Sequence, residues 1–403
     1  MQMTRTEASS RNPLLLMAIL VLQLAFGLLA MTICLPSMQD WPATFGASQA
    51  AVQLTFSGFV AAYGGMQLVF GPMSDRIGRK PVLLIGLSVA LAGSLVAALA
   101  TDLTVLTIGR VLQGAGSAAG MVTGRAMVQD LFRGTERTRA MAFIGMSMGV
   151  VPPLSTLVGG QLHVHAGWQS NFLLLALLAL VLMVAAWRGL PDRPPQPDAP
   201  TGALRQLVTG YARLARQPAF LLYVVMLSSA TATFYTFLGG TPLVLKGYGV
   251  PPEDLGWYIG VIPVAYIFGN LVTTRLAHRS SDAFIVGWGQ ALTIAGLLIV
   301  VALGFAGVRH PLALALPLLL LGVGHGLLVP PTLIGTVGLV PALAGSAAAV
   351  AGVTQQLLGA FGGFVIGLVS NDGQTNLGLI MLGWALLGLG AQLLLHGKVL
   401  RRA

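Results

Sequence analysis

The stretch Gly71-Pro72-Met73-Ser74-Asp75-Arg76-Ile77-Gly78-Arg79-Lys80-Pro81 crowds four charges, two glycines and two prolines between two long apolar runs. It is expected to be a tight polar turn joining two helices that cross a membrane. In isolation such a segment is only a solvated turn, so its meaning depends on its flanks.

Those flanks are extreme. The 403 residues are 55% hydrophobic and 8% charged, against about 25% charged in an ordinary soluble domain. This balance describes a polytopic membrane protein. The lone cysteine, Cys34, excludes an intramolecular disulfide framework and lies in an apolar run, where packing is its expected role. The first apolar run, 13–38, is too long for the core of a signal peptide and is expected to be a retained span.

At roughly 20 apolar residues per span, helices are expected at 13–38, 50–72, 81–100, 103–129, 138–162 and 168–188. The second set falls at 218–242, 254–276, 283–306, 311–338, 344–369 and 375–396. Between the sets, the run from Pro191 to Pro200 is dense in proline and predicts an extended connector. The expected organisation is a six-helix bundle over 1–188, a cytoplasmic linker over 189–216 and a second six-helix bundle over 217–403.

Charge sets the expected orientation, because cytoplasmic loops keep the excess of lysine and arginine. Of the 22 such residues, Arg110 and Arg125 fall inside the fourth span, and Lys246 and Arg309 in loops on one side. All the others lie in tails, loops and linker on the opposite side, which places both termini and the Asp75 turn in the cytoplasm. The net charge of +10 is mostly this signal, so no nucleic-acid partner is expected. Helix eight ends Gly269-Asn270-Leu271 ahead of Arg275, His278 and Arg279, a faint echo of the Asp75 turn. Such a repeat implies a substrate site between the halves near mid-membrane and alternating access.

Several residues inside or beside the spans are candidates for function. Asp75, Arg76 and Arg79 are expected to pair with Asp130 and Arg125 at the end of helix four, with Gly78 allowing the turn. Arg110 lies seven residues after Leu103, about 10 Å inside its helix. A guanidinium at that depth is expected to face a cavity, the alternative being that it snorkels to the surface. Helix five carries Gly145, Gly149, Pro152, Pro153, Gly159 and Gly160, a pattern that permits bending and close packing. Gln23, Met31, Thr32, Gln113, Met146, Tyr235, Asn270, His325 and Gln355 are, with Arg110, the candidates for lining the cavity.

All twelve acidic residues map to loops or helix ends, which leaves no carboxylate at mid-membrane. His325 and Asp40 are the residues that could couple transport to protons. His163 and His165 lack acidic or cysteine companions nearby and read as surface histidines rather than a metal site. Gly145-Met146-Ser147-Met148-Gly149 fits a hydrolase pattern, but that chemistry needs a strand-to-helix elbow and the segment is mid-helix.

The Asp75 turn resembles the loop between helices two and three of the major facilitator superfamily. Arg110-x-x-Gln113-Gly114 is similar to that superfamily's helix-four signature, and the helix-five glycines to the antiporter signature of its drug exporters, with Thr156 where a second proline is expected. Thr32-Ile33-Cys34-Leu35-Pro36 resembles the Asp-Met-Tyr-Leu-Pro run of exporters of bicyclomycin and chloramphenicol type, with Thr32 in the place of the aspartate. The resemblance covers essentially the whole chain. It implies an all-α membrane protein of the major facilitator fold, a monomeric drug:proton antiporter of the bacterial inner membrane with no cofactor or metal. Its substrate would be an amphipathic drug-like molecule or an organic anion. In that family the Asp75 cluster latches the cytoplasmic ends of helices two, four and eleven. Alternative readings are a transporter of one metabolite, with Arg110 neutralising an organic anion, and a transporter-shaped receptor.

Overall fold

The computed structural model describes residues 13–191, 212–340, 343–370 and 372–400; Arg5, Glu7, Arg11 and most of the proline-rich connector lie outside them. Twelve apolar runs become twelve long helices. In the first set these are α1 (Pro13–Thr32), α2 (Gln49–Ile77), α3 (Arg79–Ala98), α4 (Leu103–Leu131), α5 (Gly134–Ala166) and α6 (Gln169–Gly189). The second set comprises α7 (Pro218–Gly247), α8 (Pro252–Leu276), α9 (Asp282–Phe305), α10 (Pro311–Gly338), α11 (Ala344–Val365) and α12 (Gln374–Leu400). Among the described residues, eleven helices are long and apolar enough to cross a membrane. The remaining one, α4, has the length at 29 residues but is more polar, because its neighbours are helices on several sides rather than lipid.

Two expected boundaries need correction. The polar turn over 71–81 shrinks to a single residue: α2 runs through Pro72 and Asp75 to Ile77, α3 starts at Arg79, and only Gly78 is non-helical, at φ +98°. That backbone strongly favours glycine. The charges therefore sit on two helix ends instead of a loop. The first span does not stay helical to residue 38. It stops at Thr32, passes through a turn and ends in a 3-10 segment, Ser37–Gln39, as Pro36 has no N–H to extend the helix.

The packing repeats with an offset of six helices. α4 packs on α1, α2 and α3, and α10 on α7, α8 and α9; α3 packs on α6, and α9 on α12. Small residues permit the closest approaches. A Cβ on Gly116 would lie 2.3 Å from the carbonyl oxygen of Gly86, and one on Gly324 2.5 Å from that of Gly289.

The two sets meet through α2 with α11 and α5 with α8. On the face that carries Asp40 the junction is tight: Gln39 donates to the Pro242 carbonyl at 2.6 Å and Gln53 to the Gly239 carbonyl at 2.9 Å. A Cβ on Gly160 would meet the Pro252 carbonyl at 2.4 Å. Contact continues to mid-helix, where Gly64 abuts Gln356 and Gly149 abuts Ile267. Towards the face with the Asp75 cluster, Gly65 of α2, Gly145 of α5 and Gly352 of α11 have open space beside them. Among the described residues, the approaches between the halves thus gather at the Asp40 face and mid-helix and give way to open space beside these glycines towards the Asp75 face, the arrangement of a cleft open on that side.

Candidate functional site

Arg110 forms the buried centre of the first half. Its side chain is fully enclosed; Nη1 donates to the Ala30 carbonyl at 2.6 Å and to Gln113 Oε1, and Nη2 lies 3.4 Å from the Met31 carbonyl. The guanidinium stacks over Phe59 at 4.3 Å, and Gln113 passes the network on to Ser94 Oγ at 2.8 Å. The local cause is the early end of α1, which leaves carbonyls in its last turn without the usual helical donors. Arg110 therefore neither lines an open cavity nor snorkels. It braces the break in α1, and among the described residues no carboxylate bonds to it.

The same break meets α5. Thr32 Oγ1 donates to the Leu28 carbonyl at 2.9 Å and shares a hydrogen bond with Ser155 Oγ. Thr156 Oγ1 donates to the Pro152 carbonyl at 2.8 Å and reaches the Thr32 carbonyl at 3.4 Å. The glycines of α5 serve two neighbours: Gly159 lies against the Ile33 carbonyl, whereas Gly149 and Gly160 face α8 of the other half. Gly145 touches neither. Pro152 and Pro153 lie within a continuous helix.

The other cavity candidates fall into two groups. Gln23 is buried, donating to the Leu182 carbonyl of α6 at 3.0 Å, and Met31 and His325 are also enclosed. These three sit in helix packing, His325 between Gly324, which abuts α9, and Gly326, which abuts α8. Tyr235, Gln355, Asn270 and Met146 are nearer the cleft. Tyr235 donates to Gln356 Oε1 at 2.8 Å, Thr231 donates to Gln355 Oε1 at 3.2 Å, Asn270 donates to its own helix at the Tyr266 carbonyl, and Met146 is exposed.

Two residues of this region escaped sequence reading. Gln356 lies where α2 and α11 approach, as a Cβ on Gly64 would come 2.4 Å from its Cβ. Tyr63 stacks on Phe59 at 6.1 Å, and its buried hydroxyl has no partner. The signal was the helical spacing of Phe56, Phe59 and Tyr63, which forms one aromatic ridge on α2; Phe56 meets Tyr235 edge-on at 6.0 Å.

At the open face, Arg79 ties three helices. It contacts Asp75 Oδ1 at 2.5 Å, Ser74 Oγ at 2.5 Å and Asp130 Oδ2 at 3.5 Å. Arg76 and Arg125 are exposed, and among the described residues neither joins this cluster. These bonds of Arg79 lie within the first half.

At the closed face, Lys246 of α7 donates to Asp40 Oδ1 at 2.8 Å, and His163 Nε2 lies 2.9 Å from Asp40 Oδ2. Burial raises the Asp40 carboxyl, but hydrogen bonds from Lys246 and then His163 outweigh it and hold the group below its ordinary value. His163 is thus largely covered and bonded rather than a free surface histidine; His165 bonds back to the Gln161 carbonyl at 2.9 Å.

A twelve-helix protein with a six-helix repeat, a cleft between the repeats and a buried arginine on the fourth helix has the architecture of a secondary transporter. The description Major Facilitator Superfamily fits residues 15–363, and the chain belongs to that family. It is 32% identical over 374 residues to multidrug resistance protein D of Escherichia coli (strain K12), covering 91% of this chain and 92% of the relative. A chloramphenicol resistance protein of Pseudomonas aeruginosa is 27% identical, covering 73% of this chain and 70% of its own. Among solved structures, a bacterial homologue of the human lysosomal transporter Spinster, in an inward-facing and unoccupied conformation, superposes with a TM-score of 0.76 at 14% identity, covering 95% of this chain and 96% of that one. The peptide transporter POT in complex with sulfate gives 0.75 at 15% identity, covering 98% and 97%. These two establish the fold alone.

Proposed function

We propose that this protein exports amphipathic small molecules, uncharged or anionic, across the bacterial inner membrane by alternating access, in exchange for protons. The halves are the bundles 1–188 and 217–403, joined by the linker 189–216 and working as a monomer. Both termini and the Asp75 face are cytoplasmic, because the lysines and arginines concentrate there. The cleft is therefore inward-open, ready to take substrate from the cytoplasm or the inner leaflet. No chemical conversion of the substrate is involved.

The observation that carries this reading is the asymmetry of the junction. Glutamine-to-carbonyl bonds and an ion pair close one face, while glycines of α2, α5 and α11 border open space towards the other. Substrate class follows from the lining. Gln355 and Gln356 offer amide groups in front of the buried Tyr235 and the aromatic ridge of α2, and no acidic residue of the described chain lies mid-helix to attract a cation. The names of the relatives, multidrug and chloramphenicol resistance proteins, agree with drug-like cargo. Arg110 is fully enclosed and engaged by the Ala30 carbonyl and Gln113, with only its Nε unpartnered, so burial rather than saturation keeps it from an organic anion, which weakens the main support for a metabolite-specific site.

Proteoliposomes with an imposed pH gradient, offered matched neutral, anionic and cationic dyes, test this reading. Gradient-driven movement of the neutral and anionic dyes is expected. Movement of the cationic dyes alone contradicts the substrate class, and movement indifferent to the gradient contradicts proton exchange.

A further inference from the structure

Asp40, His163 and Lys246 form a cluster that spans the closed face. Lys246 belongs to the second half and holds Asp40 Oδ1 at 2.8 Å together with the Gln39 carbonyl at 2.7 Å. His163 belongs to the first half and holds the other oxygen of the same carboxylate at 2.9 Å. Its side chain is 13% exposed, against 44% for Asp40 and 50% for Lys246. The second ring nitrogen, Nδ1, is buried with no partner.

We propose that His163 is a positioning residue of the transport cycle: while neutral it holds Asp40 in place for Lys246 across the two halves, and a second proton on its ring sets a like charge against Lys246, weakens the tie between the halves and favours opening of this face. The inference deepens the alternating-access reading and rests on it for its meaning, though not for its test.

The neutral ring must donate from Nε2, because its partner is an ionised carboxylate that can only accept. The ring thereby fixes one oxygen and leaves the other aimed at Lys246. Asp40 is held below its ordinary value, so it loses its charge only in strong acid, and its part of the tie persists through neutrality. The imidazole, whose second ring nitrogen has no hydrogen-bond partner, is the member of the cluster that can accept a further proton.

The sign follows from which interactions cross the junction. Attraction between a charged His163 and Asp40 lies within one half and survives opening. Repulsion between His163 and Lys246, which share one carboxylate, acts between the halves and is relieved by opening. A charged ring also carries an Nδ1–H that has no acceptor while the face is closed, and opening admits water to it.

The opposing groups are Glu253 and Asp254 at the start of α8, whose backbone packs on Gly160 one turn before His163. Among the described residues neither makes an ion pair with His163. His165 is turned back onto its own helix. Acid on this face therefore favours the open arrangement.

Spin labels on Ala43→Cys and Val308→Cys, exposed positions on this face in opposite halves, report the separation in full-length protein in lipid nanodiscs without substrate. Lowering the pH from about 8 to about 5, the range in which histidine titrates, is expected to raise the ratio of long to short distances about fivefold or more, a usual size for coupling between sites. His163→Gln, whose amide can still donate to Asp40, should keep the short distance throughout. His163→Lys should favour the long distance at every pH, and Lys246→Gln should flatten the profile. A His163→Gln protein with the native pH profile, or a native protein with no pH response, overturns the proposal. A His163→Gln protein that does not fold leaves the His163→Lys and Lys246→Gln profiles to decide it. Because no substrate is present, failure of the export reading would leave this result unaffected, and loss of the pH response would leave the export reading standing.

Discussion

Thr156 Oγ1 lies 3.4 Å from the carbonyl oxygen of Thr32, so the two positions at which the chain departs from the drug-exporter pattern face each other. One takes the place of an expected aspartate in the first span, the other that of an expected proline in the fifth. Each hydroxyl donates to a carbonyl of its own helix, Leu28 or Pro152, and Ser155 links the two through Thr32 Oγ1. A carboxylate placed here would be enclosed among neutral groups, next to the Ala30 and Met31 carbonyls of α1 to which Arg110 reaches from α4.

Thr32→Asp is accordingly expected to add a pH dependence that the native protein lacks at this site, because a buried carboxyl strongly resists ionisation. Thr32→Val, which removes only the hydroxyl, should cost about 1 kcal/mol of stability and add no pH dependence. Transport measured against pH for the three proteins decides between them; identical profiles would show that this position is silent.

Arg110→Ala should abolish transport and also lower thermal stability, since the carbonyls of Ala30 and Met31 and the amide of Gln113 lose their donor. Each buried acceptor left without a partner costs about 1–3 kcal/mol. Arg110→Lys should recover part of the loss, because an ammonium cannot span both carbonyls as the planar fork does. Melting curves in detergent showing native stability for Arg110→Ala would mean that the break in α1 does not need this brace.

The glycines of α5 give a sharper contrast. At Gly159 an added Cβ would lie 1.8 Å from the Ile33 carbonyl, whereas at Gly145 it meets nothing within 4 Å. Gly159→Ala should therefore destabilise by about 1–3 kcal/mol or prevent folding, and Gly145→Ala should be neutral or stabilising by up to about 1 kcal/mol. Comparable melting temperatures for the two variants would contradict the packing described here.

Asp75→Asn should leave stability nearly unchanged, since the carboxylate is exposed and Arg79 retains Ser74 and Asp130. Its expected effect is on turnover, through a looser joint between α2 and α3. Normal transport rates in a well-expressed Asp75→Asn protein would remove Asp75 from the cycle.

How much of this was legible in the sequence depended on whether the signal was local. Twelve spans and the six-helix repeat follow from apolar runs and charge placement, which are properties of the chain itself. The turn at Gly78 was located correctly but drawn too long, because Pro72 reads as a breaker when its cost is met by neighbouring helices. Arg110 stands out in the sequence by its depth, yet whether it faces water or carbonyls depends on where α1 breaks, a tertiary fact. Gln356 was passed over in favour of the adjacent Gln355, since only the approach of α2 at Gly64 distinguishes them. His163 looked like a surface residue because its partner, Asp40, lies 123 positions away.

The central claim is that the closed face must part for substrate to leave. The direct measurement is transport by Asp40→Cys/Lys246→Cys protein in proteoliposomes, before and after the two thiols are joined by a short reducible crosslinker; both positions are solvent-accessible. The account predicts arrest when the pair is joined and recovery on reduction. Undiminished transport by the crosslinked protein would contradict it.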